Sequence, residues 1–126
     1  MKKGVRLTTI MQIKINGIAF NIELANTFLR RTKGLMGRKT LYAGTAMAIY
    51  PCFSIHTWFM RFPIDVVFLN KNGVILRIIR NMAPYRISPF VKGSYYVVEM
   101  LGGVLPEGIE AGQVVEFDRK GGNANA

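Results

Sequence analysis

The stretch HTWFMRFPIDVVFL, residues 56–69, decides the fold of this 126-residue chain because it is the most apolar part of the sequence. It holds the only histidine, the only tryptophan and Asp65, which is the only acid between Glu23 and Glu99. Pro63 has no N–H to give to a strand ladder, so it divides the apolar sequence into two predicted strands, at residues 54–62 and 64–69.

The first of these strands carries a specific prediction about the histidine. His56, Trp58 and Met60 are each two residues apart, so on a strand their side chains share one face. Tryptophan and methionine are residues of protein interiors. We therefore expect this face to point to the core or to a pocket and to bring His56 inward.

Two hairpins are predicted on either side of this centre. Residues 9–15 and 18–24 alternate with strand period around Asn16-Gly17, a pair that tolerates the positive φ angles of a tight turn. The sequence 70-NKNG-73 predicts a second turn, which joins the strand at 64–69 to one at 74–80. Further alternating or β-branched runs predict strands at residues 45–50, 94–101 and 113–117.

The remaining segments complete a mainly β architecture. Asn26 or Thr27 can cap one short helix over residues 28–33, and the proline-bearing segment 81–93 predicts a loop. About eight short strands and one helix predict a β-sandwich or a small barrel with the helix over one end. A chain of this length has room for one domain, which we place at residues 9–118 between flexible tails at 1–8 and 119–126.

The sequence also predicts a compartment. No apolar run reaches the roughly 18 residues of a membrane-spanning helix. The basic start MKKGVR is not followed by the apolar core of an export signal. With a single cysteine no internal disulfide can form. These features together favour a cytoplasmic protein without a membrane span.

The charge distribution favours anionic partners. The formal net charge is +10, and eleven Lys or Arg residues but only one acid lie between Ala25 and Lys92. Such a field attracts phosphates, acidic sugars, anionic lipid heads and nucleic acid, and binding to nucleic acid would be weak and non-specific. The alternative is an ordinary solvated basic surface.

Two carboxylates stand out because they occur within apolar strands. Asp65 and Glu99 are costly to bury unless they are paired, and Arg31, Arg38 or backbone N–H groups are available partners. One interpretation is a set of structural ion pairs that hold the helix to the sheet. The other is a cleft where the carboxylates and an arginine meet a ligand, or where the two carboxylates divide acid and base roles.

The segment from Cys52 to His56 brings a thiol, the Ser54 hydroxyl and an imidazole close together in sequence. One cysteine and one histidine make half a zinc site at most, and the chain has no CxxC or HxxxH motif. The P-loop, GxGxxG and GxSxG motifs are absent as well. We therefore predict neither a metal nor an organic cofactor.

Four strings resemble one known family: RTKGLMGR at 31–38, HTWFMRFPIDVVF at 56–68, VEMLGG at 98–103 and GIEAGQVV at 108–115. Together they are similar to the uncharacterised domain-of-unknown-function family numbered 192, over about residues 10–118. The resemblance implies a β-rich, jelly-roll-like fold and no known activity. The positions that recur in the family are Arg31, Gly34, Leu35, Met36, Arg38, Met60, Pro63, Asp65, Glu99 and Gly103. Arg30 and Gln113 depart from the family pattern, which commonly has acids there.

The function predicted at this point is a non-enzymatic binding module for a small anionic or polyhydroxylated ligand. Its candidate site residues are Arg31, Arg38, His56, Asp65 and Glu99. One alternative is a hydrolase or lyase that uses Asp65 or Glu99 with His56. Another is a weak, non-specific nucleic-acid binder that uses the basic cluster at residues 30–39. The absence of a complete catalytic constellation favours the binding module.

Overall fold

The structure, a computed structural model, describes residues 11–27, 31 and 33–119. The strands of this part are β1 (Met11–Ile15), β2 (Ile18–Ala25), β3 (Thr45–Ile49), β4 (Ile64–Leu69), β5 (Ile75–Met82), β6 (Tyr96–Leu101) and β7 (Glu116–Arg119). They form one sheet in the order β5-β4-β6-β3-β2-β1-β7. Only β2 and β3 pair in parallel, while the other neighbours are antiparallel.

The sheet curls until its two edges meet at one end. Val74 and Val114, just before the edge strands β5 and β7, form an antiparallel bridge. Next to it the Val115 N–H donates to the Gly73 carbonyl at 2.8 Å. A Cβ on Gly73 would lie 2.8 Å from the Val115 carbonyl oxygen, so only glycine permits this approach. The predicted mainly β fold is confirmed, and the described strands form a small barrel-like sheet rather than a two-sheet sandwich.

Both predicted hairpins are confirmed, and the turn chemistry explains them. Asn16 and Gly17 have φ angles of 52° and 83°, as the turn between β1 and β2 requires. In the turn between β4 and β5, the Asn70 Oδ1 accepts hydrogen bonds from the N–H groups of Asn72 and Val74 at 2.9 and 3.0 Å.

The central strands are buried on both faces. Alternate residues of β3 show this: Ala46 and Ala48 belong to a core inside the curl of the sheet, whereas Met47 and Ile49 belong to a second core on its outer face. All six residues of β4 are buried for the same reason. The outer core is covered by long loops, and the candidate site lies beneath them.

The strand predicted at residues 54–62 is wrong. This segment is a loop with a turn, in which the Met60 N–H donates to the Thr57 carbonyl at 3.2 Å. The only β-type pairing of its backbone is an isolated antiparallel bridge between His56 and Ile87. The prediction that His56, Trp58 and Met60 share one inward face is wrong as well, because Met60 is 5% exposed and Trp58 is 38% exposed.

The predicted helix over residues 28–33 lies mostly outside the described residues. Arg31 and Lys33 have helical backbone, and the Arg31 N–H donates to the Thr27 carbonyl at 2.8 Å. The predicted tails at 1–8 and 119–126 also lie outside the described residues, except for Arg119, which ends β7. Among the residues that are described, no helix is long and apolar enough to cross a membrane.

Candidate functional site

A pocket of about 330 Å³ lies on the outer face of the sheet. Its floor includes Ile49 of β3 and Glu99 of β6, and its walls come from residues 31 and 33–36 and from the loop 51–60. Leu35, Ile55 and Met60 add apolar lining. The polar side chains that line it are Arg31, Lys33, Cys52, Ser54, His56 and Glu99. The volume is at the lower end of the range for small-molecule sites, roughly 300–1,000 Å³.

Glu99 is the most unusual group in this pocket. In the sheet it is paired with Met47 of β3 and Val66 of β4, and it is only 3% exposed. Within residues 11–27, 31 and 33–119, no group hydrogen-bonds to its carboxyl or forms an ion pair with it. Burial raises the pKa of Glu99 to about 8. At neutral pH the carboxyl is therefore mostly protonated and can donate a hydrogen bond into the pocket.

The pocket carries positive charge on the side formed by Arg31 and Lys33. Arg31 is half-buried and Lys33 is exposed. The Arg31 Nη1 donates to the Asn26 carbonyl at 3.3 Å, a contact that leaves other guanidinium N–H groups available. A small anion that entered the pocket would therefore meet two cationic side chains.

The thiol and the imidazole on the loop side already have protein contacts. The Cys52 thiol donates to the Ser54 carbonyl at 3.1 Å. Burial raises the pKa of Cys52; the charge of Glu99 raises it further and that of Arg31 opposes the rise. At neutral pH the sulfur is therefore a thiol, which is a poor nucleophile.

His56 is held in one orientation by its own loop. The Trp58 N–H donates to His56 Nδ1 at 3.1 Å, so the neutral ring carries its proton on Nε2. The ring is half-buried and stacks on Trp58 with their centroids 6.2 Å apart. In the described part of the chain, no three His, Cys, Asp or Glu residues lie together as a metal site would require.

Asp65 lies away from this pocket. It is fully buried, and its carboxylate accepts hydrogen bonds from the backbone N–H groups of Asn81, Gly103 and Leu105 at 2.8, 2.9 and 3.0 Å. Asn81 has a φ of 52° and sits where the pairing of β4 with β5 is irregular. Asp65 was expected to be buried and bonded either to an arginine or to backbone N–H groups; its burial and the second alternative are confirmed. The contacts are those of a clamp between β5 and the turn after β6.

Arg38 also lies outside the pocket. Its guanidinium makes a bidentate ion pair with Glu23 on β2, with N–O distances of 2.8 and 3.0 Å. The hydrogen bond with Glu23 raises the pKa of Arg38. Of the five candidate residues, the structure thus brings Arg31, His56 and Glu99 together and places Arg38 and Asp65 elsewhere.

The pocket is also lined by Lys33, Cys52 and Ser54, which were not among the candidate site residues predicted from the sequence. Lys33 follows Arg31 by two residues, and Cys52 and Ser54 follow Pro51, which marks the start of a loop. The sequence signal for these missed residues was a segment that leaves the sheet at a proline and carries several polar side chains.

Comparison with known proteins points to one family. The DUF192 family profile, described as "Uncharacterized ACR", matches residues 11–117. A curated relative, a UPF0127 protein of the archaeon Pyrococcus furiosus, is 31% identical over 108 residues, which cover 81% of this chain and 90% of the relative.

Two solved structures share the fold. A protein of unknown function from Novosphingobium aromaticivorans superposes with a TM-score of 0.74 at 26% identity, covering 85% of this chain and 83% of the other. A candidate transcription regulator from Sinorhizobium meliloti superposes with a TM-score of 0.72 at 20% identity, covering 86% of this chain and 92% of the other. The second similarity concerns the fold alone.

Proposed function

Since this chain belongs to the uncharacterised DUF192 family, we propose its function from the pocket itself: it binds a small anionic ligand that also carries hydroxyl or carbonyl oxygens. The residues that bind it are Arg31, Lys33, His56 and Glu99. Arg38 and Asp65, which were candidates from the sequence, are assigned structural roles in this proposal.

The observation that carries the proposal is the buried Glu99 carboxyl. A buried polar group without a hydrogen-bond partner costs about 1–3 kcal/mol, so native proteins rarely keep one without a reason. Glu99 lines a cavity, and within the described residues no protein group satisfies it. A ligand oxygen that accepts a hydrogen bond from the Glu99 carboxyl would supply the missing partner.

The surrounding side chains define the class of ligand. The cations Arg31 and Lys33 suit a carboxylate or phosphate group. A protonated Glu99 and the Nε2–H of His56 suit acceptor oxygens such as hydroxyls or carbonyls. The apolar surface of Leu35, Ile55 and Met60 suits a short carbon skeleton. Hydroxy acids, sugar acids and sugar phosphates combine these features.

A second candidate function is acid–base catalysis on such a ligand. The observation in its favour is a carboxyl with a pKa of about 8, close to neutral pH, in the same pocket as an imidazole. Asp65 does not join this pair, because its carboxylate is held by three backbone N–H groups outside the pocket. A hydrolase or lyase of this kind would use Glu99 as the acid and His56 as its partner.

The binding proposal is tested with a matched pair of arginine variants. We expect Arg31→Ala to weaken binding at least tenfold, because loss of a charge-assisted hydrogen bond costs about 1.5–3 kcal/mol. Arg38→Ala removes the same charge outside the pocket and should leave affinity within about twofold. Calorimetric titration with glucuronate, gluconate, lactate and a hexose phosphate measures both.

Equal losses in the two variants would show that net charge, rather than the pocket, attracts the anion. Binding that Glu99→Gln leaves unchanged would remove Glu99 from the site. Turnover of a bound compound, lost in Glu99→Gln and retained in Arg38→Ala, would favour the catalytic function over simple binding.

A further inference from the structure

Two loops on the outer face of the sheet join into one irregular two-stranded ribbon, which we call the cover ribbon and define as residues 53–59 and 85–91. Its two segments run antiparallel. The Val91 N–H donates to the Phe53 carbonyl, the Ser88 N–H to the Ile55 carbonyl and the Thr57 N–H to the Arg86 carbonyl, each at 2.8 Å.

The inner side of the cover ribbon is fixed to the protein. The Thr57 hydroxyl is fully buried; it donates to the Ala83 carbonyl at 2.7 Å and accepts from the Arg86 N–H at 2.8 Å. The buried side chains of this inner side are Ile55, Thr57, Ser88 and Val91. The outer side is therefore presented on a well-anchored support.

The outer side of the cover ribbon is apolar although it faces solvent. Of the nine large hydrophobic side chains exposed in the described part of the chain, six lie here. They are Phe53, Trp58, Phe59, Tyr85, Ile87 and Phe90. Apolar side chains gathered in this way mark an interaction surface, whereas single exposed ones are ordinary.

The backbone at two of these aromatics is in an unfavourable conformation. Phe59 and Tyr85 have φ angles of 64° and 63°, in the left-handed region that bulky side chains disfavour. Asparagine or glycine would suit both positions better. Their rings meet edge to face, with centroids 5.9 Å apart, at one end of the ribbon. Strain at exposed residues is typical of a functional surface.

The charge around the cover ribbon identifies its partner. Residues 51–63 and 83–93 contain Arg61, Arg86 and Lys92 and no acid. A second copy of this chain, with a net charge of +10, would be repelled. We propose that the cover ribbon docks on the surface of an anionic phospholipid bilayer.

The side-chain chemistry favours lipid over nucleic acid. Phe53, Ile87 and Phe90 have no hydrogen-bonding group and suit the acyl-chain boundary, while Trp58 and Tyr85 suit the headgroup level. The three basic residues then meet the lipid phosphates, which adds electrostatic attraction to the apolar contact. This proposal rests on the cover ribbon and is independent of a ligand in the pocket.

The test is sedimentation of the full chain with phosphatidylglycerol–phosphatidylcholine vesicles and with vesicles of phosphatidylcholine alone. We expect binding to the anionic vesicles that weakens as salt rises, and at least tenfold weaker binding to the neutral ones. The double variant Phe59→Asn, Tyr85→Asn should lose at least tenfold in anionic-vesicle affinity. Because asparagine tolerates the left-handed backbone, the melting temperature of this double variant should equal or exceed that of the parent.

The control variant is Ile18→Ser, Tyr42→Ser, which removes two exposed apolar side chains outside the cover ribbon and should bind vesicles as the parent does. Equal binding by the parent and the asparagine variant would overturn the proposal, as would equal losses in the asparagine and serine variants. A single-stranded oligonucleotide that binds more tightly than the vesicles, and loses this affinity in the asparagine variant, would assign the surface to nucleic acid instead. Concentration-dependent dimerisation abolished by the same variant would assign it to a second copy.

Discussion

Replacing Asp65 with alanine should lower the free energy of unfolding by about 3 kcal/mol or more, because three buried N–H groups lose their acceptor. Asn81 lies in β5, whereas Gly103 and Leu105 follow β6, so one carboxylate joins two chain segments on either side of β4. Each unsatisfied N–H costs about 1–3 kcal/mol. Because the three N–H groups share one acceptor, their individual costs do not simply add. Urea unfolding at pH 7 measures the change.

Two controls separate the clamp from a general effect of charge. Asp65→Asn keeps one acceptor oxygen and should lose less than the alanine variant. Asp118→Ala removes an exposed aspartate whose contact with Lys14 is 3.8 Å long, so its effect should stay below about 1 kcal/mol. An Asp65→Ala protein as stable as Asp118→Ala would show that the three hydrogen bonds contribute nothing net.

The hairpins could be predicted from the sequence because their determinants are local. Asn16-Gly17 requires only that two residues accept positive φ, and both do. The alternation of β1 and β2 adds a face that must be buried. The closure of the sheet into a small barrel could not be predicted in this way. This closure depends on the Gly73–Val115 approach, which joins residues far apart in sequence.

The strand predicted at residues 54–62 failed because alternation records which side chains are buried and not what pairs with the backbone. This segment does bury alternate residues, Ile55 and Thr57, but Ile55 packs in the outer core and the Thr57 hydroxyl bonds to the backbone of Ala83 and Arg86. Its backbone pairs with residues 85–91 across a loop interface. The positive φ of Phe59 then turns the chain and ends the alternation.

For a similar reason, only part of the candidate site could be predicted from the sequence. A carboxylate within an apolar strand needs a partner, and Asp65 and Glu99 were both predicted as candidates for this reason. The sequence does not indicate which of the two carboxyls the fold itself satisfies. Asp65 meets the N–H groups freed at an irregular turn, whereas Glu99 points to the opposite face, between the sheet and the loop around Cys52.

The stability of the protein should fall as pH rises from about 4.5 to about 8, and Glu99→Gln should remove this fall. Glu99 has a usual pKa of 4.5, which burial raises to about 8 in the folded state. Between these values the folded protein holds a proton that the unfolded chain releases. The stabilisation is therefore fully present below pH 4.5 and is lost as pH rises to about 8.

The size of the effect follows from the same shift. Each unit of difference in pKa corresponds to 1.36 kcal/mol, so the full loss for Glu99 is on the order of 5 kcal/mol. Glutamine has a similar shape and no charge to bury, so the variant should match the parent below about pH 4.5 and exceed its stability by a growing margin as pH rises to about 8. Urea unfolding of both proteins across this range measures the difference in their free energies of unfolding, in which the other titrating groups cancel.

A difference in free energy that stays constant with pH would mean that Glu99 is ionised in the folded state throughout, with Arg31 or Lys33 as its partner. The pocket would then present a carboxylate at Glu99 instead of a hydrogen-bond donor, and a ligand oxygen could accept only from the Nε2–H of His56.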